Sequence, residues 1–183
     1  MEPTKGLVLI NTGTGKGKTT AALGTAIRAW GDGQRVLILQ FIKGSWKYGE
    51  LKAIETLGKV NGNIEIRPMG DGFVFHNKKE DEESFLKKKG LAEQAWDMVI
   101  KEVKSDTWDL VILDEVNYAI HFGMIDVSHV LELIQTRPPR LNMILTGRYA
   151  RDELIEIADT VTEMMLCKHA FQKGIRARKG IEF

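Results

Sequence analysis

Short β-branched and leucine-rich runs alternate along the chain with longer amphipathic stretches, the pattern of a sheet with helices packed on its faces. Six strands are predicted, over Gly6–Asn11, Arg35–Phe41, Asn63–Arg67, Leu110–Asp114, Asn142–Thr146 and Val161–Leu166. The run Val111-Ile112-Leu113 is apolar without alternation. A strand buried on both faces reads this way, so the sheet is expected to be mainly parallel. Helices are predicted from Lys18 to about Trp30, from about Gly49 to Leu57, through the charged stretch Ser84–Val103, and over Val127–Gln135 and Asp152–Ala158. Met69–Lys79, rich in glycine and aromatics, reads as a long loop of the kind that often carries function. No repeat, low-complexity tract or linker breaks the pattern. A chain of 183 residues has material for one substantial core, so one α/β domain over residues 1–183 is expected.

The first strand runs into Thr12-Gly13-Thr14-Gly15-Lys16-Gly17-Lys18-Thr19-Thr20 and then into the helical Ala21-Ala22-Leu23. Strand, glycine loop and helix in that order are the setting of a phosphate cradle. Glycines let backbone N–H groups point inward, the helix N-terminus adds partial positive charge, and Lys18 adds a full one. The Thr19 hydroxyl can sit on Mg²⁺. Against the pattern G-x-x-x-x-G-K-[ST] the first glycine position is occupied by Thr12, with Gly13 one place late, so this is a variant loop. The dinucleotide pattern G-x-G-x-x-G fails, since counting from Gly13 it needs glycine where Lys18 stands. The loop Gly13 to Thr20 therefore predicts nucleotide binding on a P-loop fold.

Leu110–Asp114 is an apolar strand ending in the acids Asp114 and Glu115, placed as in proteins where a strand-end carboxylate helps hold Mg²⁺. Glu115 alone does not separate a hydrolase, where it would orient water, from a transferase. Thr146-Gly147-Arg148 follows another buried strand, at the sheet edge where open α/β folds bind ligands. Arg148 is thus a candidate phosphate clamp, with a surface salt bridge as the plain alternative.

Charge and cysteine content narrow the classes. Lys and Arg number 26 against 25 Asp and Glu, so no general attraction for nucleic acid or an anionic membrane is expected, and any polyanion must be met locally. Cys167 is the only cysteine, which leaves no internal disulfide and fits a reducing compartment. No stretch reads as a membrane span or targeting signal. The spacing of His76, His121, His129 and His169 builds no metal site. The basic tail Lys168–Lys179 reads as a solvated face.

These residues together resemble the P-loop ATP:corrinoid adenosyltransferases. The resemblance runs from Gly6 to Phe183 and is carried by the variant cradle Asn11–Thr20, Gln40-Phe41-Ile42-Lys43-Gly44, Leu113-Asp114-Glu115, Thr146-Gly147-Arg148, Lys168-His169-Ala170-Phe171 and the closing Gly180-Ile181-Glu182-Phe183. It implies a RecA-like domain that forms a homodimer in the cytoplasm. It further implies transfer of the 5′-deoxyadenosyl group of ATP to the Co(I) of cob(I)alamin or a precursor corrinoid, with release of tripolyphosphate, Mg²⁺ as cofactor and a reductase supplying Co(I). Gly72-Phe73-Val74-Phe75 looks like the family's aromatic element under the corrin, with Phe75 where tryptophan is familiar. On their spacing alone, Phe73 and Phe75 also suit the inward face of a short strand. Three other functions share parts of this inventory: a P-loop ATPase using Glu115, a nucleotide-sensing or nucleic-acid-binding module, and a small-molecule kinase.

Overall fold

Strands with no polar alternation must find cover on both sides, and the computed structural model, which describes residues 5–41, 48–69 and 82–182, gives it to them. The strands are β1 (Val8–Thr12), β2 (Val36–Gln40), β3 (Ile64–Pro68), β4 (Leu110–Asp114), β5 (Asn142–Thr146) and β6 (Thr160–Glu163). They form one sheet in the order β3-β2-β4-β5-β1-β6, and every pairing is parallel. The helices are α1 (Lys18–Gly31), α2 (Gly49–Asn61), α3 (Glu82–Lys104), α4 (Val116–His121), α5 (Val127–Thr136) and α6 (Asp152–Ile157).

Successive residues of each strand face opposite ways, which splits the core in two. On one face Val36, Ile38, Leu110, Ile112 and Ile144 meet Ala22, Ala26 and Ala29 of α1 and Ile54 of α2. On the other, Leu37, Leu39, Val111, Leu113, Met143 and Leu145 pack with Trp96 and Val99 of α3 and Leu133 and Ile134 of α5. The three buried alanines of α1 recur at helical spacing, and their small size brings the helix that begins with Lys18 close down onto the sheet.

Every predicted strand and helix has a counterpart among these elements; β4 and β5 keep the predicted bounds and the others have shifted ends. β6 stops at Glu163 rather than Leu166 because it is an exposed edge strand paired only with β1; the following Met164 turns to bond the phosphate loop. β1 begins at Val8 because the Gly6 N–H is held by the Pro139 carbonyl, outside the ladder. α2 continues to Asn61, where Gly62 at φ 73° ends it. Helix α4 went unpredicted, being too short at 6 residues to display a period. The loop Gly70–Lys79, with Phe73 and Phe75, lies outside the described residues, as do Ile42–Gly44 and Phe183.

The strand that leads into the glycine loop and the strand that ends in acids are not neighbours, since β5 runs between β1 and β4. All three open at the same, C-terminal, sheet edge. The close seat of α1 is testable. Ala26→Leu forces extra methylenes between α1 and the sheet and is expected to lower stability by about 1–3 kcal/mol, read as a shift of the urea midpoint.

Candidate nucleotide site

The site is built where polar residues interrupt apolar strands at one level of the sheet. Gln40 is in register with Asp114, Asn11 with Thr146, and the β4–β5 register carries Asp114 level with Thr146, one step past Leu113 and Leu145. The strand ends bond to one another. Asp114, 1% exposed, accepts from the Thr146 hydroxyl on Oδ1 at 2.7 Å and from Gln40 Nε2 on Oδ2 at 3.0 Å. Thr146 Oγ1 in turn accepts the Glu115 N–H at 2.9 Å. Because a carboxylate only accepts, the amide nitrogen of Gln40 must face it, and this fixes Oε1 on the other side. That Oε1 is buried and has no partner among the described residues, and the same holds for both amide atoms of fully buried Asn117 on α4. Unpaired polar atoms in a protein interior are uncommon and call for a ligand, water or ion.

Glu115 follows in a left-handed conformation at φ 64°, which bends the chain off β4 into α4. A non-glycine residue is costly there, and such strain gathers at functional sites. The bend brings its carboxylate beside the turn after β5: a Cβ on Gly147 would stand 3.2 Å from Glu115 Oε2 and 3.0 Å from the Tyr118 nitrogen. Gly147 itself is at φ 126°, so no side chain suits the position on either ground. Arg148 next to it is exposed. Tyr149, also left-handed at φ 62°, is steadied by stacking on His121, with ring centroids 4.1 Å apart.

Between β1 and α1 the glycine loop closes around its own lysine. Lys18 Nζ donates to the carbonyls of Gly13 at 2.8 Å and Gly15 at 2.6 Å, and the residue is 7% exposed. Burial pushes its pKa down; Glu115 acts to raise it and Arg148 to lower it further. Lys18 therefore feels the charges of Glu115 and of Arg148, the latter 130 positions away in sequence. Gly17 caps α1 at φ 109° with no side-chain cap, and no acid occupies the first turn, so the helix keeps its N-terminal positive potential. Thr19 is half-buried, whereas Thr14, Lys16 and Thr20 are exposed.

The odd glycine spacing has a local cause. The Gly15 N–H donates to the Met164 carbonyl at 2.6 Å, and the Met164 N–H to the Thr12 carbonyl at 2.9 Å. A Cβ at Gly13 would lie 2.5 Å from the Met164 oxygen, and one at Gly15 2.7 Å from the oxygens of both Met164 and Met165. The glycines admit a neighbouring backbone that a side chain would exclude. Sequence reasoning missed this contact and the Gln40–Asp114–Thr146 chain. The signal for the second was present, as a polar residue closing each of three apolar strands.

A parallel sheet, a glycine loop wrapped around a buried lysine and a strand-end acid pair define a P-loop, RecA-like protein. One solved neighbour in fold, a KaiC-like protein from Pyrococcus horikoshii OT3, superposes with a TM-score of 0.55 at 18% identity, over 90% of this chain and 75% of its own. The model of the family described as ATP:corrinoid adenosyltransferase BtuR/CobO/CobP matches residues 4–183, and the chain belongs to that family. It is 39% identical over 179 residues to the corrinoid adenosyltransferase of Pseudomonas aeruginosa, spanning 98% of this chain and 84% of that one. With the corrinoid adenosyltransferase of a Sinorhizobium species it shares 38% identity over 181 residues, 98% of this chain and 81% of the relative.

Two substitutions check the geometry. Thr146→Val keeps the shape but strips a hydrogen bond from buried Asp114 and from the Glu115 N–H, at an expected cost of about 1–3 kcal/mol in chemical unfolding. Gly15→Ala should disrupt the loop's seat on Met164 and Met165, so that MgATP no longer raises the melting temperature of the variant as it does that of the parent.

Proposed function

We propose that this chain transfers the 5′-deoxyadenosyl group of ATP to the Co(I) centre of a corrinoid, cob(I)alamin or a precursor, and releases tripolyphosphate. Membership of the adenosyltransferase family gives the reaction class. The observation that carries the reading to these residues is the glycine loop closed around buried Lys18, whose Nζ donates to the Gly13 and Gly15 carbonyls.

The chemistry suits this inventory. Co(I) is a strong nucleophile, so its attack on C5′ needs no protein base. The Co–C bond forms as the C5′–O bond breaks, and that electron pair leaves with tripolyphosphate. What the protein must supply is an in-line approach and stabilisation of a polyanionic leaving group. Lys18, Arg148 and the amides of the loop Gly13 to Thr20 other than that of Gly15, which is held by the Met164 carbonyl, take that part. Phe73 and Phe75, outside the described residues, are assigned to the corrin face by resemblance.

Mg²⁺ fits the donors present, which are hard oxygens: the Thr19 hydroxyl and the acids Asp114 and Glu115. Both Asp114 oxygens already accept hydrogen bonds, which suits support of metal-bound water. Direct coordination then falls to Thr19 and Glu115. The ion would supply countercharge to the triphosphate. Among the described residues no helix is long and apolar enough to cross a membrane. The wider setting in this reading is a cytoplasmic homodimer that draws its Co(I) substrate from a reductase.

Anaerobic incubation with MgATP and chemically reduced cob(I)alamin tests the activity. Light-sensitive adenosylcobalamin with tripolyphosphate is the expected outcome; ADP and orthophosphate beside an unchanged corrinoid would leave the ATPase in its place. MgATP at a hundred times its Kd should add about 2.7 kcal/mol of stability, and Lys18→Ala should lose both that gain and transfer. Phe73→Ala should keep MgATP affinity and slow the reaction started from Co(II).

A further inference from the structure

A second lysine stands in the phosphate loop. Lys16, between Gly15 and Gly17, extends outward with its side chain 54% exposed, and its Nζ lies 2.6 Å from Oε1 of Glu182, whose side chain is 19% exposed. The two are 166 positions apart, and the intervening tail is shaped to join them. Met164 bonds the loop backbone through both its N–H and its carbonyl. Beyond it a 3-10 turn over Ala170–Lys173 is capped by His169, whose Nδ1 accepts the Phe171 N–H at 3.0 Å, while the Gln172 side chain accepts the His169 N–H at 3.2 Å. A last turn, closed by the Glu182 N–H on the Arg178 carbonyl at 2.8 Å, presents the carboxylate. The nearby charged residues of the tail, Lys168, Lys173, Arg176, Arg178 and Lys179, are all basic and exposed. Glu182 is the acid among them, and it meets a cation of the loop.

An anion so near a phosphate site needs a reason. A carboxylate within about 8 Å of a bound polyphosphate acts on it with little screening at physiological salt. With Lys16, Lys18 and Arg148 all turned to the same ligand, the site would favour tripolyphosphate, which carries more charge than the ester it came from and has to leave before the next turnover. We propose that Glu182 is a positioning residue of the phosphate site, holding the Lys16 ammonium outward and thereby limiting how tightly tripolyphosphate is retained. The proposal rests on the adenosyltransferase reading above. The Lys16 hydrogen bond is the largest cause that keeps the Glu182 carboxyl below its usual range, against an opposing effect of burial.

The test is calorimetric titration of the full chain with MgATP and, separately, with tripolyphosphate, for the wild type, E182Q, E182D, K16M and K16M/E182Q. E182Q is expected to bind tripolyphosphate about threefold more tightly, the scale of a partly exposed ion pair. The gain should shrink as salt is raised. E182D, which keeps the charge, should match the wild type. In the K16M background the E182Q change should have no effect, since its action passes through Lys16. Unchanged or weaker tripolyphosphate affinity in E182Q overturns the proposal, and so does an equal gain in the K16M background, which would mean a bare through-space field. Wild-type protein that binds both ligands while E182Q is unaltered removes only this inference. Wild-type protein that binds neither removes the functional reading with it.

Discussion

The hydrogen-bonded chain from Gln40 through Asp114 and Thr146 to the Glu115 backbone fixes the site. It ties the ends of β2, β4 and β5 at one level, and it can do so only because the parallel register makes those ends coincide. A carboxylate at 1% exposure survives in such a place when its oxygens are satisfied. From this fixed edge the chain turns at Glu115 and at Gly147, and those two turns lie close against each other.

The phosphate loop depends on a different constraint, the approach of one backbone to another. Gly13 and Gly15 lie against the carbonyls of Met164 and Met165, so the loop is seated on the chain that leaves the edge strand β6. At Gly15 the amide itself is spent on the Met164 carbonyl, so glycine there leaves room for a neighbouring backbone that a side chain would exclude. It also links the tail to the site, because the segment that seats the loop is the one that leads on to Glu182. Of the three left-handed non-glycine residues among those described, Asp106, Glu115 and Tyr149, the last two follow β4 and β5 at the C-terminal sheet edge, with Tyr149 stacked on the ring of His121.

How much was legible depended on the range of the interaction. Lys18, Thr19 and the strand-end acids were readable because a strand, a glycine loop and a helix follow one another directly in the chain. Arg148 was placed by position after a strand, and its electrostatic partnership with Lys18 and Glu115 needed the sheet order. Helix α4 was missed because its 6 residues carry no period and its start depends on a strained glutamate. The end of β6 was overextended because Val161–Leu166 looks like a strand in sequence, whereas its C-terminal half bonds the phosphate loop.

The sequence by itself determined the α/β pattern, the parallel sheet, the phosphate loop and the acid pair, since each is written in contiguous residues whose physics is local. The family resemblance was likewise a property of those motifs. Tertiary structure alone decided that β5 separates the loop strand from the acid strand, that Thr146 and Gln40 satisfy Asp114, that Met164 and Met165 require glycine in the loop, and that Glu182 reaches Lys16. Those contacts join residues from 32 to 166 positions apart, and only the folded register brings such partners within hydrogen-bonding distance.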